Sequence, residues 1–309
     1  MALAKRNRKS IFTRSFFFYV GMIAFPLAQF AVFYIGVNFN SILLAFQRIE
    51  GNTVTWTLDV FPETLRAMTT DLELKRVFWN SLKAFFVIYG ISVPTALLFS
   101  YYIYKKCWGN TFFKLLLFLP SILSAIVMVP IFEMWAEWVI PTIQEEFFHQ
   151  TQAAGLLSNE NTRDVMIYFY NIFVGFGVSV LMYSNAMSGI SQEMVESAHL
   201  DGASPLREFV SITLPSIYPT LTTFIVVGVA SIFTNQINLF SFKGETGSSW
   251  STLQTYGYYL YTRVSVAMRY DDMSVYPMLS AIGLLLTCIA VPVTLGTKYL
   301  LERFGPSED

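Results

Sequence analysis

Apolar residues lie in long blocks along the chain, and a helix needs about 20 of them to cross the hydrocarbon core of a bilayer. Six segments reach or approach that length: residues 16–37, 84–104, 115–132, 165–189, 217–240 and 275–298. A further uncharged stretch, residues 246–262, has only Leu253 and Leu260 as aliphatic residues among Ser, Thr, Gly, Gln, Tyr and Trp. It reads as a loop carrying one interfacial aromatic helix. The expected fold is an all-α integral membrane protein with six transmembrane helices.

The start of the chain resembles a secretory signal, with Lys5, Arg6, Arg8, Lys9 and Arg14 ahead of an apolar run. The uncharged run from Ser15 to Gln47 is too long for a signal core, and no small-residue cleavage site follows closely. It is expected to stay as the first membrane helix. Residues 1–15 then form a cytoplasmic tail, 16–301 the six-helix membrane domain and 302–309 a second cytoplasmic tail.

Composition supports the membrane reading. Hydrophobic residues make up 54% and charged residues 13% of the chain, against about 25% charged in soluble proteins. With a net charge of −1 there is no overall basic field to attract nucleic acid. Two cysteines, Cys107 and Cys288, and two histidines, His149 and His199, supply neither a disulfide framework nor a metal cluster.

Charge distribution sets the orientation. With the N-terminus inside, the inner segments hold Lys5, Arg6, Arg8, Lys9, Arg14, Lys105, Lys106, Lys114, Arg207, Lys298 and Arg303. The remaining Lys and Arg are spread over longer outer loops, so both termini are expected in the cytoplasm. Lys83, at the expected outer end of the second helix, reads as a snorkelling side chain. No expected helix centre holds a charge, which argues against an ion-coupled secondary transporter; nor is there an inverted repeat. A membrane-embedded enzyme would need clustered Asp, Glu or His at that depth, and these are missing.

The informative loop is residues 191–216, SQEMVESAHLDGASPLREFVSITLPS. Ser191 is placed to cap a first short helix with Glu193 in its first turn. Gly202 is placed to end it, Ser204 to cap a second with Pro205 at its first position, and Pro215 to break that second helix. The first helix is expected to put Glu193, Glu196, His199 and Leu200 on one broad docking face. The spacing Glu-x-Ala-x3-Gly-x9-Ile-x-Leu-Pro is filled by Glu196, Ala198, Gly202, Ile212, Leu214 and Pro215. At ordinary residue frequencies six such positions coincide by chance roughly once in 10⁷ windows.

That spacing resembles the EAA coupling loop of ATP-binding cassette (ABC) importer permeases. The Asp201-Gly202-Ala203 run and the Ile212-Thr213-Leu214-Pro215 end look most like the carbohydrate-uptake members, in the branch of the larger maltose permease subunit. The resemblance implies a type I importer fold, with a coupling helix-turn-helix between the fourth and fifth membrane helices. It gives Glu196 the pairing with a basic residue of an ATPase subunit; Ser197 replaces the second Ala of the pattern. It also implies a sugar site. Asn171, Phe173, Val174 and Gly175 are similar in type and distance to a sugar-contacting run of that branch, and Asn235 falls on a further contact position. Ser121 stands where that branch has Tyr, Ala125 where it has Ser, and Gly228 and Ile232 where it has Ser and Asn, so maltose itself is not implied. Asn171 and Asn235 read alternatively as interhelical hydrogen-bonding groups.

The chain lacks a G-x4-G-K-[ST] loop, the nearest glycine cluster being Gly244-Glu-Thr-Gly247. Together with the resemblance this implies no cofactor and no enzymatic activity in this chain. ATP and Mg would be bound by two nucleotide-binding ATPase subunits, beside a second homologous permease and below an extracytoplasmic solute-binding protein. The setting is a bacterial or archaeal inner membrane. An importer of another solute class has similar coupling loops and is the competing expectation.

Overall fold

The computed structural model describes the chain except residues 1, 52, 150–153, 245–249 and 307–309, and except the side chains of 2–15 and 148. Ser248 and Ser307, which the charge distribution puts outside and inside the membrane respectively, lie outside the described residues. The chain divides into two compact units, residues 1–66 with 271–285, and residues 67–270 with 286–309.

In the first unit, α1 (Ala2–Gln29), a π-helical turn (Phe30–Gly36) and α2 (Val37–Leu44) follow one another without a break. The apolar run Phe16–Leu44 is 29 residues long and none of it is buried within the chain. A helix apolar on every side is suited to a lipid or protein surround, not to water. Next comes an antiparallel hairpin, β1 (Gln47–Glu50) with β2 (Thr53–Trp56), in which Gln47 faces Trp56 and Glu50 faces Thr53. The hairpin is an addition to the all-α expectation. The first part of α3 (Val60–Thr70) closes against it: the Arg48 guanidinium donates to both Glu63 carboxylate oxygens at 2.5 Å. Ala45, Val60 and Ala281 make the small core of this unit.

The second unit is built on α4 (Leu72–Tyr104), whose first turn is capped by Asp71 accepting from the Glu73 amide at 2.7 Å. This helix starts three turns before the expected residue 84, so Lys83 lies within it rather than at its end. Lys83 Nζ is 4.0 Å from Asp164 and 5.8 Å from the centre of the Tyr168 ring.

The expected third span, residues 115–132, is two pieces. The helix α5 (Asn110–Ile122) stops where Leu123 and Ser124 become extended, with ψ 140° and 150°. After this break come α6 (Ala125–Met134), a π turn (Trp135–Val139) and α7 (Ile140–Phe148), which together give an apolar run over Ala125–Phe147. Pro130 lies inside this second piece and does not end it.

This second run extends past the expected residue 132 and so takes in Glu133 and Glu137. Glu137 is held locally: it accepts from the Leu157 and Ser158 amides at 2.6 and 2.8 Å and from the Ser158 hydroxyl at 2.6 Å. Such charge-assisted bonds offset the desolvation of a carboxylate.

The helix α8 (Glu160–Met187) packs along α4 and α5. Its outer-numbered half buries Ile167, Tyr168 and Tyr170 in one core with Phe132, Ile237, Phe242 and Trp250. Its second half buries Val180, Tyr183 and Met187 in another, with Ala96, Phe209 and Ile217. Gly177 sits where α5 comes closest; a Cβ there would run into the Leu117 carbonyl. Small residues of this kind permit backbone approach between membrane helices, where lipid removes the hydrophobic drive for packing. Ser100 of α4 adds a hydrogen bond to the Val180 carbonyl at 3.0 Å.

Beyond α8 lie α9 (Gln192–Leu200), α10 (Pro205–Glu208), a π turn (Phe209–Thr213), α11 (Leu214–Ser216) and α12 (Tyr218–Ala230). Pro215 does not end the helical run. The break is at Ile217, where the axis bends by 68°. The expected fifth span also ends early, at Ala230 rather than 240, and is followed by turns and α13 (Leu239–Lys243). The aromatic helix expected within 246–262 is α14 (Tyr256–Arg269), and α15 (Tyr276–Phe304) is the last span. Among the described residues, five helices are long and apolar enough to cross a membrane, or six if the bent pair counts as one.

Candidate functional site

Two constellations stand out, both within the second unit. The first is the loop 191–216. Its first helix ends as the spacing required: Gly202 has φ +74° and its amide donates to the His199 carbonyl at 3.0 Å. Left-handed backbone of this kind costs a non-glycine residue energy, and glycine none. Ser204 caps the second helix, accepting from the Arg207 amide at 3.4 Å. Ser191 occupies the N-cap of α9 but its side chain makes no capping hydrogen bond.

Glu193, Glu196, Asp201 and Leu200 are exposed, Leu200 to 89%. Ala198, Ile212, Leu214 and Pro215 are half-buried, and Leu214 packs against the core that holds Phe209 and Ile217. The motif positions thus separate into an exposed acidic edge and an anchored stem. His199 is exposed with them and also reaches back to the second helix. Its Nε2 lies 3.0 Å from Glu208 Oε2.

Glu208 is the residue that sequence reasoning missed. It is 1% exposed, and Lys105 Nζ at the end of α4 lies 2.5 Å from its Oε1. Neither carboxylate oxygen receives a hydrogen bond of regular geometry, so the Lys105 ammonium is what answers its charge, with the His199 ring against the other oxygen. The signal in the sequence is faint: Glu208 lies in the first turn of the helical run that begins at Pro205, where the dipole favours an acid and an exposed one is ordinary, so nothing local marks it as buried.

The second constellation surrounds α8 and the turns after α12. Asn171 donates through Nδ2 to the Ile167 carbonyl at 2.8 Å and to the Ile237 carbonyl at 2.9 Å. Its Oδ1 accepts from Asn238 Nδ2 at 2.8 Å. Asn235 Oδ1 accepts from the Ile237 amide at 2.8 Å, and the Asn235 carbonyl accepts from the Thr255 hydroxyl at 2.7 Å. Asn171 and Asn235 are therefore joined through one turn. Asn238 completes the network and was not foreseen, although the run Asn235-Gln236-Ile237-Asn238 is an uncommon cluster of amides.

Phe173 is not part of this network. Two residues along a helix turn the side chain by about 200°, so its ring lies near-parallel to Phe169 at 6.0 Å, and Phe169 to Trp135 at 6.4 Å. Val174 is half-buried against the core around Ile167. Gly175 has open space where a Cβ would stand. Ser121, near the end of α5, donates to the Phe118 carbonyl at 2.7 Å. Beside Asn235 lies a cavity of about 10 Å³ lined by Ser81, Tyr89, Ser231 and Thr255 among others. The Tyr89 ring fills the notch left by Gly228. No group of three or more His, Cys, Asp or Glu suited to a metal occurs among the described residues.

The family model described as binding-protein-dependent transport system inner membrane component matches residues 76–306. The multiple sugar-binding transport system permease protein MsmF of Streptococcus mutans is 21% identical over 71% of this chain and 75% of its own length. The arabinooligosaccharides transport system permease protein AraP of Bacillus subtilis is 23% identical over 89% of this chain and 86% of its own length. Among solved structures, a bacterial ABC transporter involved in import of the acidic polysaccharide alginate superposes with a TM-score of 0.76. It covers 97% of this chain and 99% of the matched chain at 16% identity, a likeness of fold.

Proposed function

The chain belongs to the family of binding-protein-dependent transport system inner membrane components, and from that premise we propose that it is the permease subunit of an ATP-driven importer of a sugar or oligosaccharide. The observation that carries this reading is the loop 191–216. An acidic, exposed α9 holding Glu196 is aimed by a left-handed Gly202 and joined through a half-buried stem to a bent membrane helix. A protein docked on that edge has a mechanical route to α12.

In this reading two ATPase subunits dock on the loop and supply ATP and Mg chemistry. A second homologous permease completes the path, and a solute-binding protein delivers cargo from the far side. Closure of the ATPase pair biases the helices between two states through contacts that differ in each. The loop end faces the cytoplasm, with both termini, in a bacterial or archaeal inner membrane. Carbohydrate as the cargo is supported by the names of the relatives, MsmF and AraP. The amide network of Asn171 and Asn235, with Val174, Gly175, Phe173 and Ser121 around it, is the proposed sugar contact region. The spacing of Asn171 to Glu196 supports the larger-maltose-permease branch as the finer placement.

The test is reconstitution of the full complex in liposomes. ATP hydrolysis should rise when loaded binding protein is added, and Glu196→Ala should reduce that response. Losing a charge-assisted interface contact costs about 2–5 kcal/mol. A response identical to wild type would reject the loop as the docking site.

A further inference from the structure

The loop 191–216 is held to the membrane domain by the apolar core that buries Phe209 and, beside it, by one charged contact. Glu208, 1% exposed, closes the second loop helix against the end of α4 through Lys105 at 2.5 Å and against α9 through His199 at 3.0 Å. Around this pair, the Tyr101 hydroxyl donates to the Pro205 carbonyl at 3.0 Å, and Lys105 Nζ sits 5.7 Å from the centres of both the Tyr101 and Tyr104 rings. The Phe209 ring meets Tyr101 at 5.0 Å. Three elements, α4, α9 and α10, therefore converge on one carboxylate.

We propose that Glu208 is a positioning residue: its ion pair with Lys105 and its contact with His199 lock the loop to α4, so that a push on α9 moves the membrane helices instead of bending the loop. This rests on the function proposed above and adds a transmission element separate from the docking contact at Glu196. Three physical points favour it. A buried carboxylate is costly unless its charge is answered, so the loop is held where the Lys105 ammonium and the His199 ring both reach it. Opposite charges on Lys105 and Glu208 hold the end of α4 and the base of α10 together at short range, beside the apolar packing of Phe209. Finally, the arrangement joins the end of a long helix, α4, to the base of the bent pair α10–α12, which is where a lever needs its fulcrum.

Removing one partner would strand a buried charge and could prevent folding, so the decisive variant removes both. The double variant Lys105→Met/Glu208→Gln leaves no unpaired charge and is expected to assemble with its partner subunits. In liposomes holding the full complex, MgATP hydrolysis would be measured together with uptake of radiolabelled arabino-oligosaccharides presented on the binding protein. The expected result is hydrolysis near the wild-type rate with sugar delivered per ATP reduced about tenfold. Lys105→Arg, which keeps the pair, should restore the wild-type ratio. An assembled double variant whose sugar-per-ATP ratio equals wild type overturns the clamp. If the wild-type complex itself shows no hydrolysis that responds to binding protein, the underlying function reading fails, independently of the variant.

Discussion

The side-chain amide of Asn171 donates to the Ile237 carbonyl at 2.9 Å, and Ile237 holds φ +44°. A β-branched residue in left-handed backbone is strained, and Asn238 beside it has φ +57°. The strain persists because three amides surround the turn: Asn171 on the carbonyl, Asn235 on the amide and Asn238 on Asn171. The turn is thus held by the same groups proposed to meet the sugar, so on that proposal cargo would act directly on the segment after α12.

Asn171→Ala should accordingly act on two measurements. The lost buried hydrogen bonds cost about 1–3 kcal/mol each, read as a lower unfolding temperature of the detergent-solubilised protein. Uptake per folded complex should fall as well, by roughly 5- to 150-fold for a contact of that size. Reduced stability with unchanged uptake per complex would return the amides to a purely helix-joining role.

Gly175 and Gly177 are two residues apart on α8 and should respond in opposite directions. At Gly177 an added Cβ meets the Leu117 carbonyl of α5, whereas at Gly175 nothing lies within 4 Å. Gly177→Ala should destabilise by about 1–3 kcal/mol through overpacking. Gly175→Ala should raise stability by roughly 0.5–1 kcal/mol through helix propensity, yet lower uptake if the open side receives sugar. Thermal unfolding of both variants in one detergent checks the sign.

Glu137→Ala should loosen the connection before α8. It removes the acceptor for two backbone amides and one hydroxyl, and hydrogen bonds to charged groups are worth about 1.5–3 kcal/mol each. Faster hydrogen exchange at Leu157 and Ser158 is expected, with exchange in α9 unchanged. Equal protection at Leu157 in wild type and variant would show that the carboxylate is not what holds this segment.

Orientation can be read with introduced cysteines, after Cys107 and Cys288 are replaced. Gly155 is a poor position because a Cβ there meets the Glu137 carboxylate. The exposed Asn161 and Trp108 serve better. In intact cells an impermeant maleimide should label Asn161→Cys and spare Trp108→Cys. The reverse pattern would invert the proposed topology, and with it the side on which the ATPase docks.

The membrane class, most of the apolar runs and the turns of the loop 191–216 were legible in the amino-acid order alone. Each depends on local rules: hydrocarbon thickness sets run length, Gly202 takes left-handed backbone, and Ser204 with Pro205 starts a helix. Helix ends were less legible. The chain breaks at Leu123–Ser124 and bends at Ile217 rather than at the prolines Pro130 and Pro215. Only the tertiary structure decided where the polar side chains are used. Asn171 turns to a carbonyl 66 residues away in the chain, Phe173 faces another way from it, and Glu208 meets a lysine at the end of α4. Such pairings are invisible to spacing because desolvation acts on whatever groups the packed helices bring together, and a buried carboxylate or amide takes the partner that packing supplies.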